Sequence, residues 1–282
     1  MILILSLFAG PAGGQTLLEP AVKAAAGLPR LHSLLVSRRG ELLLERYFNG
    51  RRATTPANVK SVSKSVIASL IGIAAGRSML DLDDPIVRFF PDAFTSPGDA
   101  AKRAITIEDL LTMRSGLEST SSRNYGAWVH SANWVRHALA RPLLGEPGGE
   151  MTYSTGNSHL LSAILTKTAR ASTWQFAQEH LAKPLGFTLA PWPRDPQGIY
   201  FGGNDMLMTP RQMIAFGEVY LNRGRVGARQ VIPARWVDDS FIPRLQMVVV
   251  TTSSTAAGEE RRTRRRTIFG LLEQIIELVR RG

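Results

Sequence analysis

The order of elements along the 282 residues predicts an α+β fold: an antiparallel sheet formed from N- and C-terminal segments, flanked by helices and carrying a mostly helical insert. Three observations predict it. Residues 31–48 hold two β-rich runs, residues 247–252 are a β-branched run, and helical periodicity fills most of the chain between them. Alternating βα units, the mark of a parallel sheet, are absent from the pattern. A hydrophobic share of 44 % is enough to bury the core of one large domain.

The chain begins with an apolar stretch, residues 2–9, followed by Gly, Pro, Ala and Gly. It is too short to span a membrane and resembles the end of a secretory signal, but no Lys or Arg precedes Lys23 to give the usual positive start. The two readings are a clipped signal, which would place the protein in the periplasm or outside the cell, and a buried first element in a cytoplasmic protein. Residues 31–37 and 41–48 read as a hairpin turning at Arg38-Arg39-Gly40. From 59 to 75, Val62, Val66, Ile67, Leu70, Ile71 and Ala74 recur at three and four, so a buried helix is expected with Gly76 at its end.

Residues 80–85 (LDLDDP) predict a turn into a short helix at 86–90. Its three Asp residues lack the Gly and distal Glu of a calcium loop, so capping and turn roles are expected of them. Thr106 and Asp109 form a capping-box start for a helix running to Arg114 and stopping at Gly116. Further helices are expected at 132–139, 160–168, 173–181, 210–222 and 233–241. The closing segment 263–282 carries an amphipathic stripe of Ile268, Leu271, Leu272, Ile275 and Val279.

The absence of Cys excludes disulfides, thiolate metal sites and thiol nucleophiles, so any chemistry uses oxygen and nitrogen groups. Net charge is +11, of which residues 259–282 supply +3 through seven Arg and four Glu; the remaining +8 is scattered. Five Arg lie among residues 261–266, and they read as the exposed entry to the last helix rather than an anion-binding patch. No groove-reading motif accompanies the charge, and nucleic acid is not expected as a partner. The five His show no metal-ligand spacing, and neither metal nor organic cofactor is expected.

Ser61-Val62-Ser63-Lys64 is the sharpest constellation. Residues three apart share a helix face, so the Ser61 hydroxyl and Lys64 amine can meet. A serine hydroxyl becomes a nucleophile when a base takes its proton, and burial lets Lys serve by disfavouring its charged form. The helix N-terminus favours developing negative charge. A second element, Tyr153-Ser154-Thr155, lies 92 residues later; its phenol can act as a general base beside Lys64.

With these motifs the chain resembles the serine β-lactamase and penicillin-recognising family, closest to the class C β-lactamases, their esterase relatives and the D-aminopeptidase and 6-aminohexanoate-oligomer hydrolase branch. The resemblance extends over residues 59–75, 80–91, 105–117 (ITIEDLLTMRSGL), 147–165 and 202–222 (GGNDMLMTPRQMIAFGEVYLN). It implies Ser61 as the acylated nucleophile, Lys64 as its base partner and Tyr153 as general acid/base. Thr155 replaces the family's frequent Asn in Tyr-x-Asn, and Asn157 sits two residues on; both are candidate substrate-amide contacts. His159 is expected to be a helix residue behind Tyr153.

The family's third motif, Lys or His followed by any residue and Gly on the strand edging the site, is absent from the sequence. The chain passes from about Arg244 directly to Leu245 where the family has several dozen more residues, which implies an incomplete sheet and the loss of one oxyanion donor, typically a factor of about 10²–10³ in rate. The expected organisation is an N-terminal extension or truncated signal at 1–20 and a single domain at 21–282, with an α/β part at 21–80 and 245–282 and a helical part at 81–244. The expected function is hydrolysis of a small-molecule ester or amide through a Ser61 acyl-enzyme. The alternative is a catalytically impaired remnant or binding protein. Nothing in the sequence sets an oligomeric state.

Overall fold

In the computed structural model the described residues are 2–4, 11–240, 247–253 and 258–281. The Arg244–Leu245 junction, with the segment expected to be missing there, lies outside them. In chain order the elements are β1 (Ile2–Ile4), α1 (Pro11–Ala26), β2 (Leu31–Arg38), β3 (Glu41–Tyr47), β4 (Ala57–Asn58), α2 (Val62–Ala75), α3 (Ile107–Leu111), α4 (Tyr125–Val129), α5 (Trp134–Leu139), α6 (Thr155–Ala169), α7 (Thr173–Ala177), β5 (Leu207–Met208), α8 (Pro210–Leu221), β6 (Arg225–Val226), β7 (Arg229–Gln230), α9 (Ala234–Ser240), β8 (Met247–Ser253) and α10 (Gly258–Arg281). None of the helices among the described residues is long and apolar enough to cross a membrane. The chain divides into two compact units: Met1–Ala57 with Met208–Gln230 and Ala234–Gly282, and Asn58–Leu207 with Val231–Pro233. Residues 58–80, expected with the sheet, thus group with the helical segments, while 208–230 group with the sheet.

In the first unit the sheet runs β1-β8-β2-β3 and is antiparallel throughout. The β2–β3 hairpin turns as expected because Arg39 (φ 52°) and Gly40 (φ 81°) are both left-handed, the geometry that matches strand twist in a two-residue loop. Period two divides the buried β2 strand between two faces. Leu34 and Val36 join Leu18, Ala21 and Ala25 of α1 and Leu271, Leu272 and Ile275 of α10 in one core. The opposite face meets α8: Ser37 hydrogen-bonds Glu218, and a Cβ on Gly217 would come within 2.6 Å of Val248. The sheet is therefore covered by helices on both faces.

The closing helix begins at Gly258, before residue 263, and four of the five expected stripe residues face the core, while the side chain of Val279 lies outside the described residues. Leu271, Leu272 and Ile275 are buried, and Ile268 packs half-buried beside them. Ile275 is fully buried, so Ile275→Ala is expected to cost about 2–5 kcal/mol by leaving a cavity. Denaturant unfolding checks this, and a change under 1 kcal/mol would remove α10 from the core.

In the second unit α2 buries Val66, Ile67, Leu70, Ile71 and Ala74 and packs against α6. Gly76 follows it in ordinary right-handed geometry (φ −64°), so its role differs from the left-handed stop expected of a terminal Gly. Close approach explains it: a Cβ there would lie 2.4 Å from Pro233 Cγ. The expected capping box forms at α3, with Thr106 Oγ1 accepting from Asp109 N at 3.1 Å and Asp109 Oδ2 accepting from Thr106 N at 2.9 Å. That helix ends at Leu111 rather than Arg114, and Met113 (φ 61°) turns away. Asp81 and Asp84 take turn roles, accepting from Asp83 N and Asp81 N, and Asp84 pairs with Arg88.

Helix α6 begins at Thr155, five residues before the apolar run that reveals it. Its polar first turn is buried because the segment 115–121 satisfies it. Gly156 N donates to Thr120 Oγ1 at 2.7 Å, Thr155 N to Ser121 Oγ at 2.9 Å, and Asn157 Nδ2 to Ser115 Oγ at 3.1 Å. Buried polar groups are tolerated when bonded in this way.

Candidate active site

Ser61 stands at the head of α2 because the backbone before it turns sharply. Lys60 is left-handed (φ 49°), an uncommon state for a residue with a Cβ, and its neighbours hold it there. Lys60 N donates to Asn58 Oδ1 at 2.9 Å, and Ser63 Oγ donates to Lys60 O at 2.6 Å. Val59 N and Met206 O are bonded at 2.9 Å, and Met206 N donates to Ser63 Oγ at 3.2 Å. Asp205 (φ 65°) closes the same corner, accepting from Asn58 Nδ2 at 2.7 Å and Lys60 Nζ at 3.3 Å. Ser61 is the N-cap residue, yet its hydroxyl makes no capping bond, which leaves Oγ directed elsewhere.

It meets the two partners expected from the motifs. Tyr153 Oη lies 3.0 Å from Ser61 Oγ, and Lys64 Nζ lies 3.4 Å from the same oxygen. The Lys64 amine also donates to Gly203 O at 2.5 Å and sits 5.1 Å from the centre of the Tyr153 ring. Two groups, each beside a helix N-terminus, thus converge on one hydroxyl, and a third, a backbone carbonyl, fixes the amine.

Electrostatics push both titratable groups in the same direction. Burial holds the Lys64 amine below its ordinary value, and its hydrogen bond and charge interaction with Tyr153 offset only part of that effect. Burial acts to raise the Tyr153 phenol, but the hydrogen bonds with Ser61 and Lys64 and the ammonium charge together outweigh it, so it too falls below its ordinary value. Lys64 makes the Tyr153 proton easier to lose, whereas Tyr153 helps to hold the proton on Lys64, and the two titrate as a pair. The N-terminus of α2 adds a positive dipole end beside Ser61.

Thr155 and Asn157 are not brought to this cluster by their polar atoms. Both are buried in the first turn of α6: Thr155 Oγ1 lies 2.9 Å from Ser121 Oγ, and Asn157 Oδ1 accepts from Ser115 Oγ at 3.2 Å. Their hydrogen-bonding capacity is turned inward, because α6 begins with Thr155 rather than after Asn157. His159 lies within α6, buried, as expected of a helix residue behind Tyr153.

Reasoning from side-chain motifs missed Gly203, whose contribution is a carbonyl. The Gly202-Gly203 pair lies flat on α6: a Cβ on Gly202 would be 2.1 Å from Ser158 O, and one on Gly203 would be 2.5 Å from Thr155 Cγ2. A Gly-Gly step followed by Asn-Asp is the available sign that the backbone approaches another element closely there.

The segments 59–75, 147–165 and 202–207 that build this arrangement fall inside a longer match to known proteins. Over residues 31–259 the chain matches the sequence profile of the family described as Beta-lactamase. It is 32 % identical over 143 residues to Protein Rv1367c of Mycobacterium tuberculosis, covering 42 % of this chain and 35 % of that protein. It is 24 % identical over 246 residues to Esterase EstB of Burkholderia gladioli, covering 81 % of this chain and 62 % of the esterase. The chain therefore spans about a third of the length of the former and under two thirds of the latter. Among solved structures, EstCE1, titled a hydrolase with promiscuous acyltransferase activity, superposes with a TM-score of 0.72 at 17 % identity, over 95 % of this chain and 99 % of its own. With the profile covering most of its length and the fold shared at that level, the chain belongs to the Beta-lactamase family.

Proposed function

We propose that the chain is a serine hydrolase that cleaves an ester or amide of a small molecule through an acyl-enzyme on Ser61. The observation that carries this reading is the 3.0 Å contact between Tyr153 Oη and Ser61 Oγ with Lys64 Nζ at 3.4 Å. In the first step the Tyr153 phenolate, favoured by the neighbouring ammonium, takes the Ser61 proton as Oγ bonds to the substrate carbonyl carbon. The carbonyl oxygen becomes an oxyanion near the α2 N-terminus. Collapse breaks the C–O or C–N bond, and the leaving oxygen or nitrogen receives the proton from Tyr153. Water then attacks the acyl group by the same proton route and restores Ser61. Esterase EstB and the EstCE1 hydrolase, by their names, support acyl chemistry of this class for the family.

A second reading is an impaired relative that keeps the fold and acylates slowly. The sequence favours it in one respect, since no Lys or His is followed two positions later by Gly to supply the third motif. One experiment separates the two: a fluorophosphonate probe followed by mass spectrometry, alongside hydrolysis of a chromogenic short-chain ester. Rapid stoichiometric labelling at Ser61, with ester turnover lost in Ser61→Ala, is the expected result. Equal ester rates in wild type and Ser61→Ala would overturn the proposal, and labelling slowed about 10²–10³-fold relative to an ordinary serine hydrolase would favour the impaired relative.

A further inference from the structure

Behind the Ser61 cluster lies a buried hydrogen-bonded couple that the reaction above does not use. His159 Nε2 and Asp195 Oδ2 are 3.0 Å apart, and neither side chain is exposed to solvent. The rings of Trp128, Trp134 and Phe201 surround the imidazole, with centroids 5.8, 5.3 and 6.0 Å away, and exclude water from it. Asp195 is satisfied on its other oxygen, where Oδ1 accepts from Gln197 N at 2.9 Å and Ile199 N at 2.8 Å. A carboxylate buried among aromatic rings is costly unless bonded in this way, so the couple is held in one arrangement.

The second ring nitrogen decides what that arrangement does. Gly202 N lies 3.3 Å from His159 Nδ1. A peptide N–H can only donate, so Nδ1 must accept, and the ring carries its proton on Nε2, where it donates to Asp195. The next residue is Gly203, whose carbonyl accepts from Lys64 Nζ at 2.5 Å. A continuous chain of contacts therefore runs from Asp195 through His159, Gly202 and Gly203 to the amine beside Ser61. The Gly202-Gly203 step lacks side chains that could lock it, and its outward face is set by this bond and by packing on α6.

We infer that His159, with its tautomer fixed by Asp195, is a positioning residue for Lys64, acting through the Gly202 N–H and the Gly203 carbonyl. The inference rests on the reading of Ser61 and Lys64 as nucleophile and base partner. His159 touches neither substrate nor reacting atoms in that reading; it fixes where the amine stands.

Asp195→Asn is the sharpest test because it is nearly isosteric. The amide oxygen can keep the Gln197 and Ile199 bonds while its NH₂ faces His159 Nε2, which forces the ring proton onto Nδ1, against the Gly202 N–H. The fluorophosphonate labelling rate of Ser61 and the ester kcat are expected to fall about 10²-fold with KM little changed, as a displacement near 1 Å of a reacting group does. His159→Asn works in the opposite sense. It leaves a cavity and strips Asp195 of a partner, yet it places an amide oxygen where Nδ1 accepted, and it is expected to retain labelling within about tenfold of wild type. Positioning thus predicts that rates and melting temperatures rank the two variants in opposite orders; rates that follow melting temperature in both variants would overturn it. Proton-detected ¹⁵N NMR of His159 reads the tautomer without turnover. A wild-type ring protonated on Nδ1, or a Gly203 carbonyl shift unmoved by Asp195→Asn, overturns the inference even if Ser61 labels. Wild type that folds, shows the expected tautomer and fails to label at Ser61 would instead sink the nucleophile reading on which the inference rests.

Discussion

Lys64→Met is expected to slow fluorophosphonate labelling of Ser61 by about 10²–10⁴-fold while leaving the protein folded, since a positioned proton-transfer group supplies a factor of that size. The substitution keeps the apolar stem of a half-buried side chain and removes only the amine, which touches Ser61 Oγ and Gly203 O. The pH dependence should change with it, in a direction the couplings determine. Labelling requires the Lys64–Tyr153 pair to have lost one proton, so the wild-type rate rises with pH. Lys64 is lowered from 10.5 and Tyr153 from 10.0, so the rise is complete at lower pH than either ordinary group would allow. Removing Lys64 takes away two of the influences that lower the phenol, its hydrogen bond and the ammonium charge, and leaves burial, which raises it, opposed by the Ser61 hydrogen bond alone. The acid limb of the residual rate must then move to higher pH. A variant that labels at wild-type rate, or whose limb stays in place, would remove Lys64 from the proton path.

Much of this arrangement can be read from side chains, and what cannot follows a physical pattern. Ser61 and Lys64 are legible because spacing of three on a buried helix forces them onto one face, and the apolar positions of α2 declare that helix clearly. The hairpin at 31–47 and the capping box at Thr106 announce themselves through local chemistry that acts within a few residues. The start of α6 is illegible because Thr155, Gly156, Asn157 and Ser158 carry no apolar period; their burial depends on hydrogen bonds to residues 115–121, which only the folded chain supplies. For the same reason Thr155 and Asn157 read as substrate contacts in the sequence although their polar atoms face inward. Helix α10 likewise starts before its stripe does, since the Arg-rich run at 261–266 has no period to reveal it. The pairing of β1 with β8 joins residues 2–4 to 248–250, a separation at which sequence pattern carries no register. Gly203 leaves the faintest trace of all, because its contribution to the site is a carbonyl, and every residue has one.

Gly202→Ala is expected to be among the most damaging single methyl additions in the second unit. Its Cβ would lie 2.1 Å from Ser158 O, 2.7 Å from His159 Cα and 2.8 Å from Ser158 C, all atoms of the α6 backbone that no rotamer change can move aside. Relief requires Gly202 to separate from a helix that α2 and α3 pack against, and that separation breaks the Gly202 N–H bond to His159 and draws the Gly203 carbonyl away from Lys64. Overpacking of this kind costs typically about 1–3 kcal/mol, and backbone atoms that cannot yield place this case at the upper end or beyond. Gly126→Ala supplies the contrast: it lies in α4 with nothing within 4 Å of a new Cβ, and it should be neutral or stabilise by up to about 1 kcal/mol through lost freedom in the unfolded chain. Side-by-side urea unfolding and Ser61 labelling would show Gly202→Ala losing both stability and acylation while Gly126→Ala loses neither. If Gly202→Ala matched wild type in both, the close seat of this segment on α6 would be wrong, and with it the anchoring of the Lys64 amine from that side.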